Sequence, residues 1–155
     1  MPIVESTITI SAPRDKLFAL AQDYGLRLRW DPFLREMRFL DGAERAAVGV
    51  RVWVKARNGL TMEVEYVTLQ APEYVAMKML HGPPFFAHFA GSWRFKASTP
   101  SETTVTFRYA FSTRYPLVRP LLDAIIKGVF RRDIRARLRT LKTCAETTDI
   151  LSRLP

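Results

Sequence analysis

Few residues in this 155-residue chain have side chains suited to chemistry, and each has a bland use as well. His81 and His88 are too few, and too far from any paired ligands, to build a metal site. By strand alternation His88 falls on an outer face, and only a bulge near Gly91 would turn it inward. His81 stands in the loop His81-Gly82-Pro83-Pro84, a place where a cavity mouth could lie. Cys144 has no histidine beside it and reads as a small core residue. There is no P-loop, no dinucleotide fingerprint and no Ser/His/Asp arrangement. General acid–base catalysis needs a titratable group within hydrogen-bond reach of a substrate. On the faces that alternation turns inward, only Tyr66 and Tyr109 offer one; no Asp, Glu, His or Lys is expected there. The two hydroxyls either orient a ligand group or donate a proton, or else they are core tyrosines bonded to backbone.

Strands must position these groups, and the pattern supplies them. Residues 3–10 alternate as a strand. Ser11-Ala12-Pro13 starts a short amphipathic helix, with Ser11 as cap and Pro13 in the first turn, stopped at Gly25. A second short helix over 26–30 ends at Asp31-Pro32, and Leu34–Leu40 forms a short strand. Residues 48–69 make a hairpin. A two-residue Asn58-Gly59 turn would mix valine and glutamate on both faces. A three-residue loop, Arg57-Asn58-Gly59, puts Val50, Val52, Val54 and Ala56 with Leu60, Met62, Val64 and Tyr66, and sets Arg51 opposite Glu65. Gly59 then supplies the left-handed residue. Strands follow over 74–80, 85–97 and up to Phe111. Alternation places Phe85, Phe89, Trp93 and Phe95 on one side of the 85–97 strand and Phe86 and His88 on the other. Short turns between successive strands predict an antiparallel meander, whose inner face the long helix must cover.

That helix runs from Pro116 to about Ala145, roughly 40 Å at ~1.5 Å per residue. Its apolar stripe is two residues wide at 117/118, 121/122, 125/126 and 129/130, then narrows to one row. The wide half is expected to meet the sheet and also to line a space. Gly128 interrupts it, as a close approach of a strand or ligand or as a packing notch. The opposite face is basic: Arg119, Lys127, Arg131, Arg132, Arg135, Arg137, Arg139 and Lys142 stand against Asp123 and Asp133. Like charges at i+4 repel by a few tenths of a kcal/mol per pair. Such a stripe is either a solvated face or a seat for an acidic partner, an anionic membrane or RNA.

Length and composition fit one domain over 1–155 with a real core. The formal charge is +9, and no run of 18 apolar residues could cross a membrane. The start, MPIVESTITI, has no signal-peptide pattern, and with the single cysteine this predicts a cytoplasmic protein.

The order of strand, two short helices, six strands and a long helix resembles the START/Bet v 1-like superfamily, labelled polyketide cyclase/dehydrase. The segment His81-Gly82-Pro83-Pro84-Phe85-Phe86 followed by Gly91-Ser92-Trp93-Arg94-Phe95 is similar to that of coenzyme Q-binding START proteins and a bacterial ribosome-association toxin group. The doubled proline departs from that pattern, and Trp30-Asp31-Pro32-Phe33 is closer to the general cyclase-like branch. The resemblance covers the whole chain. It implies an α+β helix-grip fold, a curved antiparallel sheet wrapped around the C-terminal helix with an apolar cavity between. The lining is expected from Val52, Val54, Met62, Val64, Tyr66, Met77, Met79, Trp93, Phe107, Tyr109, Leu122, Ile126 and Phe130, with no metal and no cofactor. Two readings follow: a binding or transport module for a quinone, lipid or polyketide, or a cyclase/aromatase-type enzyme using Tyr66, Tyr109 or His81. A third, weaker reading is a regulator that docks on RNA or the ribosome through the basic helix.

Overall fold

The computed structural model describes residues 1–155. Seven strands form one antiparallel sheet: β1 (Ile3–Ile10), β2 (Leu34–Phe39), β3 (Arg51–Ala56), β4 (Thr61–Gln70), β5 (Tyr74–His81), β6 (Phe86–Thr99) and β7 (Glu102–Thr113). Their order is β1-β7-β6-β5-β4-β3-β2, so six strands run as a meander and the first returns beside the last. The helices are α1 (Arg14–Gln22), α2 (Tyr24–Trp30) and α3 (Arg119–Thr147), followed by a 3-10 turn at Ile150–Arg153. This is the helix-grip arrangement.

The β3–β4 register is the one that separates valine from glutamate. Arg51 lies opposite Glu65, Trp53 opposite Glu63, and Val54 opposite Met62. Gly59 has φ of 92°, and its N–H bonds the Ala56 carbonyl at 3.0 Å, closing the three-residue loop. A slip by one residue would have exposed the valine row and buried charge.

Several boundaries differ from the expectation. Pro13, not Ser11, holds the N-cap position of α1, and the Ser11 N–H instead bonds the Glu146 carboxylate at 2.7 Å. Asp23 caps α2 by accepting from Leu26 N–H at 3.0 Å. Gly25 therefore lies inside α2 and stops nothing. The long helix starts at Arg119, with Pro120 in its first turn, where a missing N–H costs little. The long helix also does not cover the sheet alone. Leu17, Leu20 and Ala21 of α1 are fully buried, and Phe18 meets Phe95 edge to face at 5.4 Å.

The two halves of α3 have different neighbours. In the second half Ile134, Leu138, Leu141 and Ala145 are buried in a single row, and α3 lies along β1 and β7. In the first half Ile126 is buried and Phe130 half-buried. Leu121, Ile125 and Val129 are exposed, as are Val118 at the N-cap and Leu117 before it, Leu117 almost completely at 98%. Gly128 is exposed too, and a Cβ there would meet nothing within 4 Å, so neither a close approach nor a notch explains it.

Candidate functional site

Sheet and first half of α3 enclose an apolar cavity of about 310 Å³. Its walls come from the inner faces of β3 to β7, where alternate residues project the same way. Trp93 and Phe107 stack at 3.9 Å across β6 and β7, and Tyr109 meets Phe130 at 4.9 Å. Gly91 makes room for this. A Cβ on it would stand 3.1 Å from the Tyr109 ring, a tight contact, so the bare backbone lets that ring lie over β6 without a shift. A register shift between Phe86 and His88 turns Phe86 inward, against strict alternation. Phe86 is buried and stacks on Phe130 at 5.9 Å, while His88 remains exposed. A bulge inserts one residue and so resets which side chains face in.

The expected lining residues divide in two. Val54, Met62, Val64, Met77, Trp93, Phe107, Tyr109, Ile126 and Phe130 stand on the cavity wall; Val52, Tyr66, Met79 and Leu122 do not. The Tyr66 hydroxyl donates to Gln22 Oε1 at 3.0 Å and lies 2.5 Å from the Tyr24 hydroxyl, which closes that end of the sheet. Val52 is fully buried opposite Phe39, on which the Tyr24 ring stacks. Met79 folds over the backbone of Gly82, with its sulfur 2.5 Å from where a Cβ would stand. Leu122 is one helical turn short of Ile126 and packs on the core outside the cavity. His81 is exposed, opposite Glu63, and does not reach the wall. Of the three candidates for chemistry, only Tyr109 faces the space.

The polar end of the cavity was not anticipated. Arg137, counted on the basic face of the helix, is only 3% exposed. It follows Phe130 and Ile134 on the apolar stripe, so a charge at i+7 and i+3 of that row was the available signal. Its Nε and Nη2 donate to Asp31 Oδ2 at 3.1 and 2.9 Å, and its Nη1 donates to the Tyr109 hydroxyl. Arg27 of α2 donates from Nε to the same Asp31 oxygen at 3.3 Å and from Nη1 to the Ala21 carbonyl at 3.1 Å. Asp31 Oδ1 accepts from Phe33 N–H at 3.0 Å, a local turn that Pro32 helps to set. Aromatic faces surround the cations: the Arg137 guanidinium lies 4.6 Å from the Phe107 ring centre and 5.0 Å from that of Phe33. Burial pushes the Asp31 carboxyl up, but Arg137 and Arg27 outweigh it and hold the group below the usual carboxylate range. Burial raises the Tyr109 hydroxyl against the opposing pull of Arg137, so it stays protonated at neutral pH. The inner face is thus not free of acids, as alternation of the strands alone implied; its carboxylate comes from the end of α2.

The cavity opens between the β3–β4 loop, at Asn58 and Leu60, and α3, at Val129 and Asp133. A more polar depression of about 330 Å³ adjoins it there, sharing Phe33, Asn58, Asp133 and Arg137. Leu60 and Val129 at this opening are exposed. No cluster of three or more His, Cys, Asp or Glu side chains is placed to hold a metal ion.

A family model described as polyketide cyclase / dehydrase and lipid transport matches residues 1–146. No protein of curated function matches the sequence. Among solved structures, XoxI from Bacillus cereus has a TM-score of 0.77 at 11% identity, over 95% of this chain and 97% of that one. A START superfamily protein from Mycobacterium smegmatis has a TM-score of 0.74 at 11% identity, over 93% and 97%. The Zhui aromatase/cyclase from Streptomyces sp. R1128 has a TM-score of 0.72 at 20% identity, over 94% and 96%. At these identities the likeness is one of fold.

Proposed function

The chain belongs to the polyketide cyclase / dehydrase and lipid transport family, and from that premise we propose that it binds and carries a hydrophobic small molecule, a lipid, quinone or polyketide, as one cytoplasmic domain. The observation that carries this reading is the apolar cavity of about 310 Å³, a volume in the range of small-molecule sites. An empty apolar space forfeits contacts along its lining, so an occupant stabilises the fold by mass action. Mass spectrometry of small molecules extracted from the native protein tests the reading. A hydrophobic compound at near-stoichiometric yield, which also raises Tm on addition, supports it. No bound compound, and no Tm response to quinones, lipids or aromatic polyketides, overturns it.

Delivery of such a cargo needs a surface. Leu121, Ile125 and Val129 form an exposed apolar row on α3, preceded by Leu117 in the turn before it, that ends at the cavity opening, with Arg119, Arg131 and Arg132 exposed on the same helix. An apolar row flanked by cations fits an anionic bilayer, where each basic residue contributes about 1 kcal/mol near the surface. Binding to phosphatidylserine vesicles, lost in a Leu121→Glu, Ile125→Glu double variant of unchanged fold, is the expected result. Salt-sensitive binding to RNA instead of vesicles would reassign the face.

Tyr109 supports a second reading, a cyclase-type enzyme in which its hydroxyl, braced by Arg137, donates a proton to a ligand carbonyl. Turnover of a poly-β-ketone substrate that Tyr109→Phe abolishes would favour catalysis over carriage.

A further inference from the structure

Two guanidiniums and one carboxylate are buried together at the polar end of the cavity, which leaves one positive charge in excess. A buried charge without a counter-charge is costly. Asp133 is the nearest other acid on the wall, one turn before Arg137, but it is half-exposed, toward the opening, and makes no ion pair. The donors around Asp31 are also not exhausted. Arg27 uses Nε and Nη1, while its Nη2 has no protein acceptor. Trp30 Nε1 is the one fully buried side-chain nitrogen or oxygen left without a partner, so Arg27 Nη2 keeps some accessible surface, and Arg27 lines the cavity. In the same cluster the Tyr109 hydroxyl accepts from Arg137, and its own proton has no protein acceptor. Both Asp31 oxygens are already occupied, by Phe33 N–H and by the two arginines. Asp31 itself is not on the cavity wall, so this end of the cavity offers a ligand chiefly donors and positive charge.

We infer that this end is a carboxylate subsite, and that the cargo is an amphipathic acid whose head meets Arg27 Nη2 and the Tyr109 O–H while its apolar body fills the aromatic and methionine-lined space. The inference rests on the carrier reading and narrows its ligand class. A carboxylate supplies the missing negative charge and two acceptor oxygens. A ketone or alcohol supplies an acceptor but no charge. Charge-assisted hydrogen bonds to a buried head correspond to roughly tenfold to hundredfold in affinity.

The test uses three probes of equal chain length, dodecanoate, dodecanol and methyl dodecanoate, titrated calorimetrically into the full chain at a pH above the carboxylate range. Dodecanoate is expected to bind at least tenfold more tightly than either neutral probe. Arg27→Met keeps Asp31 paired with Arg137, and it should bring the acid-to-alcohol ratio close to one. Tyr109→Phe removes the proton without changing charge and should lower the ratio only in part. Circular dichroism and Tm verify that each variant folds; if Arg27→Met does not, the wild-type ratio and the Tyr109→Phe ratio decide. Equal binding of acid, alcohol and ester by the wild type overturns the carboxylate subsite and leaves the carrier reading standing. Binding of none of the three overturns the subsite, and the extraction experiment then decides the carrier reading separately.

Discussion

Asp31 Oδ2 accepts from three nitrogens on two guanidiniums, in a setting from which water is largely excluded. Removing one member of a buried ion cluster costs more than a surface bridge does, because the partners stay buried without compensation. Asp31→Asn should therefore destabilise the protein by about 3–5 kcal/mol, measured by urea unfolding. The pH dependence has a definite sign. The folded-state carboxyl is held below its unfolded value of about 3.9. Its contribution is complete above that unfolded value and is lost as pH falls through the lower folded one. Wild type should lose this part of its stability only below about pH 4, and the Asn variant should lack that limb of the profile. Tyr66 behaves differently, since its hydroxyl serves Gln22 and Tyr24 and not the cavity. Tyr66→Phe should cost about 1 kcal/mol of stability and leave ligand affinity within error of wild type. A large loss of affinity would place Tyr66 back in the site.

The long helix does two jobs along its 29 residues. Its second half is core, one apolar row against β1 and β7. Its first half is a wall on one side and a solvent-facing apolar row on the other. Gly128 lies between, exposed, with helical backbone and open space around it. No structural demand for glycine is visible there, so Gly128→Ala should stabilise by ~1 kcal/mol through helix propensity. The check is a higher urea midpoint at unchanged slope. A decrease would mean that something not in this chain approaches the glycine. Among the strands, the bulge at Phe86–His88 has the largest consequence for the site, because it brings Phe86 beside Phe89, Phe111 and Phe130.

At the scale of the whole molecule, a curved sheet packs closely on the second half of the long helix and leaves a space beside the first. The space left is the cavity, and its walls are rigid aromatics and adaptable methionines. Val64→Trp should fill much of it. Overpacking costs ~1–3 kcal/mol where a site is already solid, so a small stability change with a large loss of ligand binding marks a true cavity. Full loss of folding with no measurable ligand effect would mark packed core instead.

The alternation of β3 to β7 and the apolar stripe of α3 made a sheet covered by a long helix, and nine of the residues on the cavity wall, legible in the sequence. Those patterns report which face of an element is buried, and the valine–glutamate separation of the β3–β4 hairpin extends that to register. They cannot report what a buried polar residue meets. Arg27 and Asp31 sit within one helical turn, but Arg137 joins them from 106 positions away, and Tyr109 from a strand at the far side of the sheet order. Taken singly, Arg137 reads as a charge on the basic face, Asp31 as a helix stop, and Tyr109 as either a core tyrosine or a ligand-facing hydroxyl. Only the tertiary structure decided that they form one cluster, because the packing of α2 against α3 is what replaces the water each charge would otherwise keep.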